Sequence, residues 1–273
     1  MLKKIDKSYN FLEKNVDKLA CPLCQSSFDL SRYSLRCQKG HQFDINKKGF
    51  VNFLNHKVVE NYTKEMFEPR GRMIRAGMYE GVLEYIKKNL LGKTLLDVGC
   101  GEGSHLSLLN FDGENFAFDI ARDGINLATN QDIEAFWAVA DLTKLPYANS
   151  SMDNILNIFT PSNYDEFRRV LSENGQVIKV VPDKYYLQEL RKAYKLPLDY
   201  DNSKVIAKFK EEFPKVTEEE VYYEFQIPEE LRNDFLKMSP LEWQVDDELL
   251  AEVKNNSPKT ATVNVKILIG SYK

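Results

Sequence analysis

The sequence has 273 residues, 43% of them hydrophobic and 29% charged, with a net charge of −4; these values describe an ordinary folded chain and set intrinsic disorder aside. No apolar run approaches the roughly 20 residues of a membrane-spanning helix. Three of the four cysteines cluster at metal-ligand spacing and Cys100 lies far from them, the pattern of a reducing compartment rather than a disulfide framework, so a cytoplasmic location is expected.

Charge is unevenly divided along the chain. Residues 1–60 carry 11 Lys and Arg against 6 Asp and Glu, net +5, and the remainder carries 26 against 35, net −9. A basic head on an acidic body suits contact between the head and a polyanion, although the same asymmetry also serves plain solubility. The first 20 residues, MLKKIDKSYNFLEKNVDKLA, are basic without an apolar core, so no secretory signal is expected.

Residues 21–43, CPLCQSSFDLSRYSLRCQKGHQF, place Cys21, Cys24, Cys37 and His41 at the spacing C-x2-C-x12-C-x3-H. Two short-spaced pairs supply the four soft or borderline ligands of tetrahedral zinc. Four protein ligands leave no open position, so the metal is structural rather than catalytic. A redox reading of CPLC alone leaves Cys37 and His41 unexplained. Between the pairs, SFDLSRYSLR alternates like a short hairpin. The module is too small to bury a core, so the metal supplies much of its folding energy.

Residues 56–91 read as a loop followed by a helix, with Pro69 at its start or in a turn before it. Arg70, Arg72 and Arg75 suit a phosphate backbone or, equally, a solvated helix face. KTLLDVGCGEGSHLSLL then reads as a buried strand, a glycine-rich turn and a helix. Gly99, Gly101 and Gly103 give G-x-G-x-G rather than the dinucleotide G-x-G-x-x-G. Asp97, two residues before the first glycine, suits a cofactor carrying an ammonium and no phosphate.

DVGCGEG resembles the first motif of class I S-adenosylmethionine-dependent methyltransferases. Under that resemblance Asp119, ending the strand FAFD, would hold the ribose hydroxyls, and Asp141, after FWAVA, would face the adenine amino group. Each acid alone is as well explained by a cap or a surface loop; three at successive strand ends are a stronger signal. EFRRVLSENGQVIKVVP reads as helix, tight turn at Asn174–Gly175 and fifth strand. VYYEFQI and ATVNVKILIGSY read as a closing antiparallel pair, with a helix and loop between them over the pocket, where Met238 and Trp243 pack or stack. Cys100 reads as a small buried residue, and His56 and His105 receive no role.

Taken together, CPLC, CQKGHQFDINKKGFVNFL, FEPRGRMIRAGMY, LLDVGCGEG, FTPSNYDEFRRVL and LKMSPLEW resemble the bacterial 23S rRNA (guanine-N1)-methyltransferases of the RlmA type, over nearly the whole chain. The Lys- and Asn-rich composition leans towards the Gram-positive type II branch. The resemblance implies an α/β fold: a class I methyltransferase Rossmann-like sheet (59–273) behind a small zinc-ribbon-like, RNA-recognising domain (1–58). It implies zinc on Cys21, Cys24, Cys37 and His41, S-adenosylmethionine near Asp97, Gly99, Gly101, Glu102, Asp119 and Asp141, and a homodimer acting on one guanine of a 23S rRNA hairpin. Tyr79 matches a position the family uses beside the donor. Tyr186 stands where the family has a donor-contacting histidine.

The four-residue Asn/Asp-Pro-Pro-aromatic signature of exocyclic amino methylation is absent, and FTPSN takes its place, so Thr160, Pro161 and Ser162 are expected to line the acceptor pocket. No residue declares itself as the base that removes the N1 proton; Asp165, Asp183 and Glu189 are positional candidates. Two other readings keep part of this pattern: a small-molecule methyltransferase with a structural zinc appendage, and a non-catalytic zinc-ribbon RNA-binding protein. A nicotinamide oxidoreductase fits the turn poorly.

Overall fold

A computed structural model describes residues 2–55, 62–198 and 201–273. The chain opens with α1 (Lys4–Asn15), then forms a three-stranded antiparallel sheet from β1 (Phe28–Ser31), β2 (Ser34–Cys37) and β3 (Gln42–Asp44), followed by β4 (Phe50–Asn52). The expected hairpin is present, with Phe28 facing Cys37 and Ser31 facing Ser34.

The body begins with α2 (Lys64–Arg75), α3 (Glu80–Asn89), β5 (Thr94–Val98), α4 (Ser104–Leu109), β6 (Glu114–Asp119), α5 (Arg122–Ala128) and β7 (Ala135–Val139). It continues through β8 (Met152–Ile158), α6 (Tyr164–Val170), β9 (Leu171–Pro182), α7 (Gln188–Ala193) and α8 (Ser203–Glu212). It closes with β10 (Lys215–Gln226), α9 (Arg232–Lys237), α10 (Asp247–Asn255) and β11 (Thr260–Ser271). No helix among the described residues is long and apolar enough to cross a membrane.

The strands β10-β11-β9-β8-β5-β6-β7-β4 form one eight-stranded sheet. From β4 to β9 the neighbours run parallel, and β11 inserts antiparallel between β9 and β10. TLLDV is buried along its whole length, as a parallel strand covered on both faces must be. Connections leave β5 in one direction towards β6 and β7, and return on its other side at β8. That reversal opens a crevice at the carboxyl ends of the strands, the usual ligand position in open α/β sheets.

Three local expectations change. The segment before β5 forms two helices broken at the RAGMY turn, and Pro69 lies inside α2. Asn174 and Gly175 belong to an irregular start of β9, where the register against β8 shifts between Met152 and Asn154, rather than to a separate tight turn. The third concerns packing: β4 pairs with β7, Phe50 opposite Trp137, so the head adds a strand to the body's sheet. Phe28, Phe43 and Phe53 share one core with Phe116 and Phe136. Ring contacts run from Phe43 to Phe53 at 4.9 Å and on to Phe136 at 6.5 Å. The boundary expected between residues 58 and 59 falls outside the described residues.

Candidate functional site

Two backbone knuckles set the metal ligands. Cys24 N and Gln25 N donate to Cys21 O, and Gly40 N donates to Cys37 O while Cys37 N donates to His41 O. The four ligand atoms of Cys21, Cys24, Cys37 and His41 lie within 4.8 Å of one another. Cys24 Sγ is 3.6 Å from Cys37 Sγ, and His41 Nδ1 lies 3.4 Å from Cys21 Sγ and 3.3 Å from Cys37 Sγ. A zinc ion about 2.3 Å from each sulfur separates its ligands by roughly 3.7 Å, so these atoms fit its tetrahedron. The ribbon's Arg32, Arg36, Lys39, Lys47 and Lys48 are all exposed.

At the crevice a cavity of 270 Å³ is lined by Asp97, Gly99, Gly101, Glu102, Asp119 and Asp141, together with Thr160 and Pro161. The two glycines have φ of +66° and +56°, a left-handed backbone that brings the turn close to whatever fills the cavity. Asp97 is buried and its Oδ2 has no hydrogen-bond partner. Burial first, then the charges of Asp119 and Glu102, push its carboxyl up to about 8. Such a group calls for a cation. Asp119 receives Gly101 N and Ala121 N at 2.8 Å each, leaving a free lone pair on either oxygen; burial raises its carboxyl and these bonds oppose the rise. Asp141 Oδ1 accepts from Thr143 N and Thr143 Oγ1 at 2.8 Å.

Glu102 lines the same cavity, but its carboxylate is committed to Ser104 N, Ser104 Oγ, Arg75 and Gln131. It fixes the start of α4. The remaining acids and the close backbone fit a ligand with an ammonium, ribose hydroxyls and a flat base, the parts of S-adenosylmethionine.

A second cavity, of 380 Å³, adjoins the first through Tyr62, Arg70, Phe159 and Thr160. Tyr79 and Tyr186 line this one rather than the first, and their hydroxyls meet at 2.6 Å. Both rings flank Phe159, at 5.7 and 5.2 Å. Met238 is buried and lines it, whereas Trp243 is 51% exposed beside Tyr62. Ser162 lines neither cavity: its hydroxyl donates to Asn157 Oδ1 and accepts from Lys179 Nζ. Thr160 Oγ1 donates to Val98 O at 3.0 Å and accepts from Asn157 Nδ2, which ties the FTPSN loop to the glycine turn.

The three positional candidates for a base lie elsewhere. Asp165 is 96% exposed in its side chain, Glu189 accepts from Thr262 N and Oγ1, and Asp183 lines neither cavity. Arg72 is bound bidentately to Asp234 at 2.7 and 2.8 Å, and Arg75 donates to Ser104 Oγ at 2.6 Å, so of the three arginines only Arg70 faces the cavities. His105, given no role from the sequence, lines the first cavity edge-on to Tyr79 at 5.4 Å; burial, reinforced by Arg70, lowers its pKa to about 3, so it is a neutral imidazole. Cys100 is buried and its thiol is pushed up by burial and the neighbouring acids, which makes it unreactive.

Residues 19–58 match the family model described as "RlmA, N-terminal", and residues 96–180 match that of "Methyltransferase domain". A Bacillus subtilis protein named "Putative 23S rRNA (guanine-N(1)-)-methyltransferase YxjB" is 37% identical over 269 residues, covering 92% of this chain and 95% of its own. A Streptomyces fradiae protein named "23S rRNA (guanine(748)-N(1))-methyltransferase" is 28% identical over 255 residues, covering 88% and 91%. Among solved structures, Haemonchus contortus phosphoethanolamine N-methyltransferase 2 in complex with S-adenosyl-L-methionine aligns with a TM-score of 0.50 at 12% identity, over 79% of this chain and 61% of that one. Bacillus subtilis YcgJ aligns with a TM-score of 0.50 at 15% identity, over 71% and 99%. The solved structures carry the fold alone.

Proposed function

Because the chain belongs to the family of 23S rRNA (guanine-N1)-methyltransferases of the RlmA type, we propose that it methylates N1 of a single guanine in a hairpin of 23S rRNA, with S-adenosylmethionine as donor and zinc as a structural ion. The observation that carries this reading is the junction of an acid-lined cavity beneath a glycine turn with a second, aromatic-lined cavity, in a chain that also carries a basic Cys3His ribbon. The guanine at 748, printed in the Streptomyces relative's name, is the position we take as target.

When bound, S-adenosylmethionine supplies an electrophilic methyl group on a sulfonium. Asp97 would hold its ammonium, Asp119 the ribose hydroxyls and Asp141 the adenine amino group. Gly99 and Gly101 admit it against the backbone, and Glu102 shapes the turn from behind. Tyr79 and Tyr186 border the donor from the acceptor side, across Phe159. Thr160 and Pro161 separate the two cavities and align donor with acceptor, and Ser162 braces their loop; placement of this kind contributes much of the rate in transfers from a reactive donor. A base taken from a loop enters such a pocket at little unstacking cost.

The division of labour between residues 1–58 as RNA reader and 59–273 as transferase belongs to the same proposal, as do a cytoplasmic location and a homodimer whose paired ribbons form a cleft for the hairpin. The small-molecule alternative predicts little dependence on salt. Transfer to 23S rRNA should fall steeply between low and physiological ionic strength, because the phosphate contacts release counterions. Activity indifferent to salt contradicts an RNA substrate.

A further inference from the structure

The two adjoining cavities carry opposite charge. Acids dominate the first: Asp97, Glu102, Asp119 and Asp141 line it, with Arg70 the one cation among the described residues that do. The second is lined by Arg70, Lys179 and Arg191, and no carboxylate among the described residues lines it. Its other titratable groups are Tyr62, Tyr79 and Tyr186. From the donor side, Asp97, Asp119 and His105 feel the charge of Arg70.

Lys179 stands in the middle of β9, in the buried run Val177–Val181, and is 3% exposed. Its Nζ donates to Asn157 Oδ1 at 2.6 Å, Ser162 Oγ at 2.9 Å and Thr160 O at 3.1 Å. All three partners are neutral, so the charge is solvated but not cancelled, and burial lowers its pKa to about 8. Arg70, half-buried on α2 at the seam of the cavities, makes no hydrogen bond or ion pair among the described residues. Arg191 donates to Pro197 O at 2.7 Å. Burying the charge of Lys179 on neutral partners, with Arg70 at the seam of the same cavity, is costly unless the occupant is negative.

Guanine offers that charge at one place. Loss of the N1 proton leaves an anion shared between N1 and O6. Resting on the function proposed above, we propose that the acceptor guanine reacts as this N1-deprotonated anion, held by the positive wall of Arg70 and Lys179, with no carboxylate base among the described residues that line the acceptor cavity. The N1–H bond breaks first and the proton leaves to water. The N1 lone pair then bonds to the methyl carbon as the carbon–sulfur bond breaks, its pair staying on sulfur. Anion and sulfonium become two neutral products. The cations stabilise the anion before transfer, as preorganised donors stabilise an oxyanion, while the acids opposite keep the sulfonium on its own side. An RNA phosphate fits the wall less well, because Phe159, Tyr79 and Tyr186 give it a flat aromatic face.

The test is the pH profile of single-turnover methyl transfer to unmodified 23S rRNA, from about pH 6.5 to about pH 9, for the wild type, Arg70→Gln and Lys179→Met. The proposal expects wild-type rates that rise with pH. Each variant should be slower on the order of 100-fold at the acid end. Arg70→Gln should come within about tenfold of wild type at the alkaline end, where hydroxide replaces the missing charge in ionising N1, and Lys179→Met converges there in any case because Lys179 loses its own proton above about pH 8. Calorimetry should find S-adenosylmethionine affinity in Lys179→Met within about threefold of wild type, since Lys179 lines only the acceptor cavity. A deficit in Arg70→Gln equal at every pH, as a merely structural or phosphate-binding role gives, overturns the anion and leaves the proposed function standing. So does a wild-type rate flat across the range, which signals a base already ionised. A wild type that labels no RNA at any pH removes the proposed function and the anion with it. Should Lys179→Met fail to fold, Arg70→Gln, changed at a half-buried site, decides alone.

Discussion

A Cβ placed on Gly99 would lie 2.5 Å from Cγ2 of Thr160, so the glycine turn and the FTPSN loop meet with no room for a side chain between them. The same threonine donates to Val98 O at 3.0 Å, which locks the approach from its other face. Under the proposed function, this contact fixes the donor turn against the acceptor loop.

Gly99→Ala tests that contact. The φ of +66° strains any β-carbon by about 1–2 kcal/mol, and the collision with Thr160 adds to it. Thermal stability should fall by a few degrees, and S-adenosylmethionine affinity by at least about tenfold in calorimetry. Gly99→Ala paired with Thr160→Ser, which removes the colliding methyl, should recover part of both losses.

Asp97 opposes folding in order to serve binding. Its folded pKa of about 8 lies above the ordinary 3.8, so the folded chain keeps a proton that the unfolded chain releases. The contribution of this group to stability is full below the ordinary value and is lost as pH rises through about 8. Asp97→Asn should raise the stability of the ligand-free protein near pH 8 by at least about 1 kcal/mol. It should also weaken S-adenosylmethionine binding on the order of 100-fold, through loss of the ammonium's partner. In the wild type that binding should tighten from about pH 6 to about pH 8 as Asp97 ionises, and in Asp97→Asn it should not.

Zinc removal should reach beyond the ribbon. Phe28 and Phe43 share a core with Phe116 and Phe136, and β4 lies in the main sheet. Elemental analysis should find one zinc per chain. Stripping the metal with a chelator, or Cys37→Ser, should lower the melting temperature of a single transition. A body that melts unchanged after zinc loss contradicts the shared core.

The ribbon's exposed cations carry the RNA reading. Arg32→Gln, Arg36→Gln and Lys39→Gln should each reduce the slope of log affinity against log salt by up to about one, if that side chain meets a phosphate. Arg72→Gln should leave the slope unchanged, because Arg72 is tied to Asp234, and should lower stability instead. A slope indifferent to all three ribbon changes moves the RNA surface elsewhere.

The sequence announced the parts built from rare residues at short spacing. Cys21, Cys24, Cys37 and His41 lie within 21 positions, and the RlmA-type motifs are contiguous. The alternation of SFDLSRYSLR gave the hairpin, and the acids at strand ends gave the lining of one cavity, because a parallel sheet presents every such end on one side. Less legible were features made by distant pairing. FVN at 50–52 carries no mark that its partner is Trp137–Val139. Among Arg70, Arg72 and Arg75 nothing local tells which turns inward, since Asp234 and Ser104 decide it from other helices. Glu102, expected beside the donor, does line the first cavity, while its carboxylate is hydrogen-bonded to Ser104 at the start of α4. Lys179 did leave a signal: a lone cation inside the apolar run VIKVV, where a surface lysine has no reason to be.

The central claim, methylation of guanine N1 in 23S rRNA, is tested most directly by incubating the zinc-loaded protein with labelled S-adenosylmethionine and unmodified 23S rRNA, then mapping the product by nuclease digestion and mass spectrometry. The account predicts one N1-methylguanine, at the hairpin position equivalent to 748. Label on an exocyclic amino group, on another base, or absent from RNA despite clear binding of the donor would contradict it.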